Sequence, residues 1–312
     1  MRNKDLIDEL SKELKFGRPE LIEKDLILHN ILTKLGADPF FREHFAFKGG
    51  TSLIKCFIGY ERFSEDIDFT FVDQKRFEGK SSKQVTRLIK PILNYTLELV
   101  SNICEDLGMD FKHSKDDNDY IEIGGSSKIV TIKLWYTSEL LHTKSFIKIQ
   151  LNFVERICFP IEVCDTDSIV HSISEKTEFL FEDYVQFTNP ISLRVYSVKE
   201  IFCEKMRAIL TRRGVKARDF LDIYLINKKY GLSPEEVRPC LEKKIIFAIS
   251  SFQKYNDNFE DKKELLFQDQ LFDWGSEKDL LVNELDEDDF NLFISKLLDF
   301  LKRFIKESSF QR

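Results

Sequence analysis

The sequence lacks the closely spaced cysteine and histidine pairs that common metal and redox motifs require. Its six cysteines contain no Cys-x-x-Cys pair, and its five histidines contain no His-x-x-x-His pair. The cysteines lie mostly within apolar runs, which is typical of reduced, buried thiols in a reducing cytoplasm. We therefore assign no histidine to a metal or to catalysis.

The sequence also lacks a run of about 18 apolar residues, the length that a membrane span needs. Its beginning, MRNKDLIDELSKELK, contains no apolar core of signal-peptide length. We therefore expect a cytoplasmic protein that binds no membrane.

Glycine and proline are scarce, at 12 and 7 residues of 312, while 42% of the residues are hydrophobic and 32% are charged. This composition predicts a compact, helix-rich protein rather than a disordered chain. The 29 phenylalanines recur at strand or helix spacing, so we expect most of them in the core. The length allows two domains of roughly 100–200 residues each.

Positive charge is in deficit overall, because the net charge is −7, and this argues against non-specific nucleic-acid binding by the whole surface. The local balance differs. Residues 194–218 contain eight basic and two acidic residues, whereas residues 257–289 contain thirteen acidic and three basic residues. The first segment can attract a polyanion, and the second repels one.

Hydrophobic periodicity divides the chain into a mixed region and a helical region. Residues 1–35 have helical spacing that we expect to end at Gly36. Period-two runs predict strands at 45–48, 67–72, 129–135 and 146–154, with a helix at 81–107. After Tyr196 the pattern is helical, and Ser197 and Glu200 have the spacing of a capping box. We predict an α/β (α+β) domain, residues 1–195, followed by an all-α domain, residues 196–312.

The first chemical motif is Lys48-Gly49-Gly50-Thr51-Ser52, directly after a predicted strand. Two glycines let the backbone turn sharply and approach a ligand, and Thr51 and Ser52 can begin a helix whose free N–H groups face a phosphate. The alternative is that these residues form a turn and bind no ligand.

The second motif is Asp66-Ile67-Asp68. In a strand, the period of two places both aspartates on one face and Ile67 and Phe69 on the other. Carboxylates so close repel each other unless water or a divalent cation compensates, and magnesium prefers one or two protein carboxylates. A solvated strand edge is the alternative.

Two further motifs follow in the helical region. Lys205 falls on the apolar stripe of its helix, where it needs either a buried aspartate partner or a triphosphate. Asp219 and Asp222 share one side of the next helix, and Arg218 is placed to reach Asp222. These three residues could form a helix-start salt bridge, or Asp219 could serve a metal site as orienter or general base.

Together these motifs resemble the AbiEii/AbiGii nucleotidyltransferase toxins, a branch of the DNA polymerase β-like superfamily that supplies the toxic enzyme of bacterial phage-defence toxin–antitoxin pairs. The resemblance covers about residues 20–230. Besides the motifs above, it rests on Glu23-Lys24-Asp25, Arg62-x-Ser64-Glu65 and Glu204-Lys205.

The resemblance implies a nucleotidyltransferase fold, a nucleoside triphosphate substrate and Mg²⁺ held by Asp66 and Asp68. It implies a catalytic centre of Asp66, Asp68, Lys205 and Asp219. We expect the active site in the cleft between the two domains, where such sites tend to form. The nucleotide-binding residues implied are Lys48, Gly49, Gly50, Thr51, Ser52, Arg62, Ser64, Arg218 and Asp222. It also implies an RNA acceptor, in particular tRNA, and a cognate antitoxin in an abortive-infection system.

One departure from the superfamily pattern concerns the third carboxylate, which a neighbouring strand usually supplies. The best candidate strand, residues 148–152, carries the amides Gln150 and Asn152 on its polar face. Asp219 could substitute, or a second magnesium ion could be weakly held. The open alternatives are nucleotidyl transfer to a protein or small-molecule hydroxyl, and a catalytically inactive module that binds RNA or a partner.

Overall fold

A computed structural model describes residues 4–125, 127–172, 181, 190–308 and 310. The chain divides into two compact units. The first comprises Met1–Glu155 and Ile161–Val195, and the second comprises Arg156–Pro160 and Tyr196–Arg312. Within the described residues, no helix has the length and apolar character required to traverse a bilayer.

The first unit contains five α-helices and seven strands among its described residues. The helices are α1 (Lys4–Glu13), α2 (Pro19–Ala37), α3 (Pro39–His44), α4 (Gly49–Leu53) and α5 (Ser82–Leu107), and a π-helix (Ile54–Ile58) continues α4. The strands are β1 (Phe45–Lys48), β2 (Asp66–Phe71), β3 (Ile121–Gly124), β4 (Ile129–Thr137), β5 (Lys144–Asn152), β6 (Ile161–Thr166) and β7 (Ile191–Tyr196).

The strands form one mixed sheet in the order β3-β4-β5-β2-β1-β7-β6. Strand β2 lies at its centre, antiparallel to β1 and parallel to β5. The fold-class prediction of a mixed α/β region followed by helices is confirmed. The sequence did not predict β3, β6 or β7.

Alternation along β2 explains both its burial and its chemistry. Ile67, Phe69 and Phe71 are fully buried on one face, while Asp66 and Asp68 are half-buried on the other. The buried face joins a core that α2 and α5 cover with aliphatic side chains. This burial fixes the register, because a shift of one residue would exchange the two faces.

The amino-terminal helical region differs from the prediction in two ways. It is two helices, α1 and α2, and Pro19 occupies the first turn of α2, where a proline is tolerated. Gly36 does not end α2, which continues to Ala37. A Cβ on Gly36 would lie 2.7 Å from Cγ2 of Ile191, so the glycine permits close packing of the helix against β7.

The second unit is helical throughout its described elements, apart from the end of β7. Its helices are α6 (Val198–Thr211), α7 (Ala217–Tyr230), α8 (Pro234–Ser251), α9 (Gln253–Phe267) and α10 (Glu287–Glu307).

The predicted capping box at the start of α6 is only half formed. The Ser197 hydroxyl accepts a hydrogen bond from the Glu200 backbone N–H at 3.3 Å. The Glu200 carboxylate instead accepts from the backbone N–H groups of Cys158 and Phe159, at 3.0 and 2.8 Å. Glu200 therefore satisfies donors of the segment Arg156–Pro160 rather than the donor of its own helix.

Candidate active site

The Gly-Gly motif forms the sharp turn from β1 into α4. Gly49 has a φ of +80°, a conformation that glycine adopts without the steric cost other residues incur. A Cβ at this position would lie 2.4 Å from Oδ2 of Asp68. The absence of a side chain therefore lets the Asp68 carboxylate lie directly against the turn.

Gly50 likewise leaves room for close packing, in this case by the loop that precedes β2. A Cβ there would lie 2.6 Å from Nη2 of Arg62 and 3.0 Å from Oγ of Ser64. Arg62 is almost fully buried and donates from Nη1 to the carbonyl of Phe63 at 2.7 Å. The loop and the turn are thus packed together, and the predicted residues on both belong to one arrangement.

The hydroxyls of the motif brace this arrangement. Thr51 donates to the carbonyl of Asp66 and lies 3.0 Å from Oγ of Ser64. Ser52 is fully buried, and its Oγ lies 3.4 Å from the carbonyl oxygen of Phe47. Both side chains act within the protein, so a phosphate at this motif would be bound by backbone N–H groups.

Asp66 and Asp68 lie on the same face of β2, each with a different neighbour across the sheet. On β5, Lys148 is opposite Asp66 and Gln150 is opposite Asp68. On β1, Lys48 is opposite Asp68. The Lys148 ammonium is 2.8 Å from Oδ2 of Asp66, and both side chains retain about 30% exposure.

A second ion pair lies on the same face. Lys48, predicted to bind nucleotide, forms a buried salt bridge with Glu155. Oε2 of Glu155 also accepts a hydrogen bond from the Thr70 hydroxyl at 2.8 Å. Neither Lys148 nor Glu155 is among the site residues predicted from the sequence. Lys148 carried a signal, since it alternates with the two amides of β5 on the polar face.

Two residues of the Glu23-Lys24-Asp25 motif of α2 form ion pairs with segments that adjoin the site. Lys24 forms an ion pair with Glu65 at 2.7 Å, next to Asp66 in the chain. Asp25 accepts from the buried ammonium of Lys55 at 3.0 Å, on the π-helix that continues α4. The motif thus holds the π-helix and the segment just before β2, both of which follow the turn in the chain.

The donor set on β2 suits one magnesium ion. Two half-buried carboxylates on one face match the one or two that magnesium takes from a protein, with water and phosphate completing the octahedron. Across the part of the chain that the structure describes, no group of three or more acidic, histidine or cysteine side chains is arranged to hold a metal. A fully protein-built metal cage is therefore not found there.

The predicted residues of the second unit form their own cluster. The Lys205 ammonium lies 2.8 Å from Oδ1 of Asp219 and 2.6 Å from Oδ2 of Asp222. Arg212 contacts the other oxygen of Asp219 at 2.8 Å. Of the two partners considered for Lys205, the structure shows the buried aspartates.

Burial raises the pKa of the Asp219 carboxyl, but the ammonium of Lys205 and the guanidinium of Arg212 outweigh that effect. The net result is a pKa lowered from 3.8 to about 2. Asp219 is therefore a weak proton acceptor near neutral pH.

Most of the basic segment 194–218 is neutralised within the second unit. Besides the pairs of Lys205 and Arg212, Arg207 pairs with Glu204, Lys199 with Glu236, and Lys216 and Arg218 with Glu277. Arg218, predicted to reach Asp222, thus contacts Glu277 at 3.5 Å. The positive charge counted in the sequence is much less available than the count suggests.

The predicted site residues thus fall into two groups, one in each unit. The first contains the Gly-Gly turn, Lys48, Arg62, Ser64 and the two aspartates of β2. The second contains Lys205, Arg218, Asp219 and Asp222.

Comparison with known proteins gives a family match and matches to solved structures. A family model described as "Nucleotidyl transferase AbiEii toxin, Type IV TA system" matches residues 30–311. No curated protein sequence matches the chain. The chain is similar to JHP933 from Helicobacter pylori, with 16% identity and a TM-score of 0.45, over 92% of this chain and 94% of that one. It is also similar to a "putative nucleotidyltransferase" from H. pylori, with 14% identity and a TM-score of 0.42, over 93% and 98%.

Proposed function

The chain belongs to the AbiEii nucleotidyltransferase toxin family of type IV toxin–antitoxin systems, and we propose that it transfers a nucleoside monophosphate from a nucleoside triphosphate to RNA, with Asp66 and Asp68 as its metal-binding carboxylates. One observation carries the proposal. The Asp68 carboxylate lies against a turn that only a glycine can form without a clash. A carboxylate that can bind a metal ion is therefore next to a backbone segment that a phosphate can approach closely.

In the proposed reaction, the oxygen of an acceptor hydroxyl attacks the α-phosphorus and loses its proton to solvent, the bond between the α-phosphorus and the α–β bridging oxygen breaks, and pyrophosphate leaves. Asp66 and Asp68 would hold magnesium, which when bound neutralises charge on the phosphates. The turn at Gly49 and Gly50 presents backbone to the triphosphate at short range. Arg62 and Ser64 keep that turn in place from the loop before β2.

In the proposed function, Lys205 and Asp219 act as an ion pair rather than as a free cation and a free base. Two buried carboxylates fix the Lys205 ammonium, which leaves it little capacity to bind pyrophosphate alone. A carboxyl with a pKa of about 2 is a poor general base. Asp219 was considered as a general base or as an orienting residue of the metal site, and the second role is therefore preferred.

The proposed acceptor is RNA, in particular tRNA. Its support is the toxin family alone, because ion pairs neutralise most of the basic segment, residues 194–218. Transfer to a protein or small-molecule hydroxyl is the second candidate. It is favoured by the ion pairs that neutralise most of that segment and by the net charge of −7. The cognate antitoxin would be the partner that prevents toxicity in the cell.

The test is to incubate the purified protein with magnesium, each labelled nucleoside triphosphate in turn, and total bacterial tRNA. Wild type is compared with Asp68→Asn and with Asp73→Asn, a matched change at an exposed aspartate just after β2. We expect label in RNA with wild type and Asp73→Asn, and none with Asp68→Asn. Label in protein instead of RNA would show that the acceptor is a protein. Label that persists in RNA with Asp68→Asn would refute the proposed active site.

A further inference from the structure

Lys148 places a positive charge on the face where the metal is proposed to bind. It lies on β5, directly opposite Asp66 on the parallel neighbour β2. Its Nζ is 2.8 Å from Oδ2 of Asp66, and neither side chain is sequestered, with 30% and 28% exposure. A half-buried lysine still has alternative rotamers, so its contact with this carboxylate puts the cation at the site itself.

The same face of β5 carries no acid. Gln150 is opposite Asp68 and Asn152 is opposite Thr70, so the side chains that flank β2 from this strand are a cation and two amides. A second divalent ion usually needs a further carboxylate, and amides are weaker ligands for it. Glu155, which follows β5, is engaged with Lys48 and Thr70.

We propose that Lys148 is a charge-compensating residue of the active site, supplying from the chain the positive charge that a second divalent ion would supply, so that the site binds one divalent ion. The inference rests on the proposed function, since it concerns the same two carboxylates. It accounts for the absence of a carboxylate on β5 and for the half-buried lysine in contact with Asp66.

Electrostatics gives the direction of the expected effects. An ammonium held at 2.8 Å from Asp66 repels a divalent cation that uses the same carboxylate. Neutralising Lys148 should therefore tighten binding of the first metal ion by at least about tenfold, because the repulsion between an ammonium and a divalent ion a few ångströms apart reaches that size even at the dielectric constant of water. Replacing it with an acid should create the missing ligand for a second ion.

The experiment measures Mn²⁺ binding to the full chain by electron paramagnetic resonance of the free ion. Variants are Lys148→Gln, Lys148→Glu and Lys133→Gln. Lys133 is a matched control, because it lies beside Lys148 on β4 and is paired with Glu122 rather than with a site residue. Asp68→Asn identifies the ions bound at the site, and circular dichroism verifies the fold of each variant.

We expect one Asp68-dependent Mn²⁺ in wild type, tighter binding in Lys148→Gln, two such ions in Lys148→Glu, and no change in Lys133→Gln. The inference is overturned if wild type binds two Asp68-dependent ions or none, or if Lys148→Gln behaves like Lys133→Gln. Nucleotide transfer is assayed separately. If wild type transfers nucleotide but Lys148→Gln binds Mn²⁺ as wild type does, this inference is rejected and the transferase function stands. If the Mn²⁺ results are as expected but no nucleotide is transferred, the transferase function is rejected and this inference stands.

Discussion

The buried Asp219 carboxylate should make the stability of the second unit depend on pH, and Asp219→Asn should remove that dependence. The side chain is 2% exposed and contacts two cations, Lys205 and Arg212. An asparagine has nearly the same shape but carries no charge, so it leaves both cations with one partner fewer. Asp222 still pairs with Lys205 in the variant.

The magnitude follows from the pKa. The folded-state pKa is lowered from 3.8 to about 2, and each pKa unit corresponds to about 1.4 kcal/mol. The charged carboxylate therefore contributes about 2 kcal/mol to the free energy of unfolding at neutral pH. Because the pKa is depressed on folding, this contribution is complete above pH 5 and is lost progressively as the pH falls through 3.8 towards 2.

The assay is urea unfolding followed by the fluorescence of Trp274, which lies in the second unit and packs on Phe272 and Phe290. A Trp135→Phe background makes Trp274 the sole tryptophan reporter, since the chain has two tryptophans. Curves are recorded at pH 7, 5, 4 and 3 for the background, for Asp219→Asn and for Asp299→Asn, an exposed control on α10.

We expect Asp219→Asn to be less stable than the background by about 2 kcal/mol at pH 7, with the difference shrinking below pH 4. The Asp299→Asn variant should match the background at every pH. A stability difference for Asp219→Asn that stays constant from pH 7 to pH 3 would refute the reasoning, because it would show that the loss does not come from the charge.

Three further outcomes are expected. Gly49→Ala should lower stability by about 1–2 kcal/mol through its positive φ and should also displace Asp68, measured as unfolding free energy and lost Mn²⁺ binding. Lys55→Met should lower the unfolding free energy by about 3–5 kcal/mol by leaving Asp25 buried without its cation, and Asp25→Leu in that background should recover much of the loss. Burial raises the pKa of the Cys104 thiol to about 12, so mass spectrometry should find it unalkylated by iodoacetamide at pH 8 until urea is added.

The sequence was sufficient for the elements whose burial follows one clear period. The predicted strand 67–72 is β2, displaced by one residue, and the predicted helix 81–107 is α5. Strand β6 could not be found in this way, because Val163 is 70% exposed and only Thr166 is buried. An exposed edge strand has no buried face to produce an alternating pattern.

The same limit applies to the candidate site. The period of two was enough to predict that Asp66 and Asp68 share a face, because both residues belong to one strand. The contact of Lys148 with Asp66 depends on the parallel pairing of β5 with β2, across 82 positions of the chain. Partners so distant follow from the order of strands in the sheet, which local patterns do not determine.

The central position of β2 makes the length of the segment around it as important as its composition. Both edges of β2 are hydrogen-bonded, to β1 and to β5, so the strand cannot slide to accommodate a lost residue. Deleting Ile67 would turn an aspartate towards the core and a phenylalanine towards solvent. Natural variants of this protein should therefore tolerate substitutions within β2 far better than insertions or deletions, with length changes confined to the connecting segments.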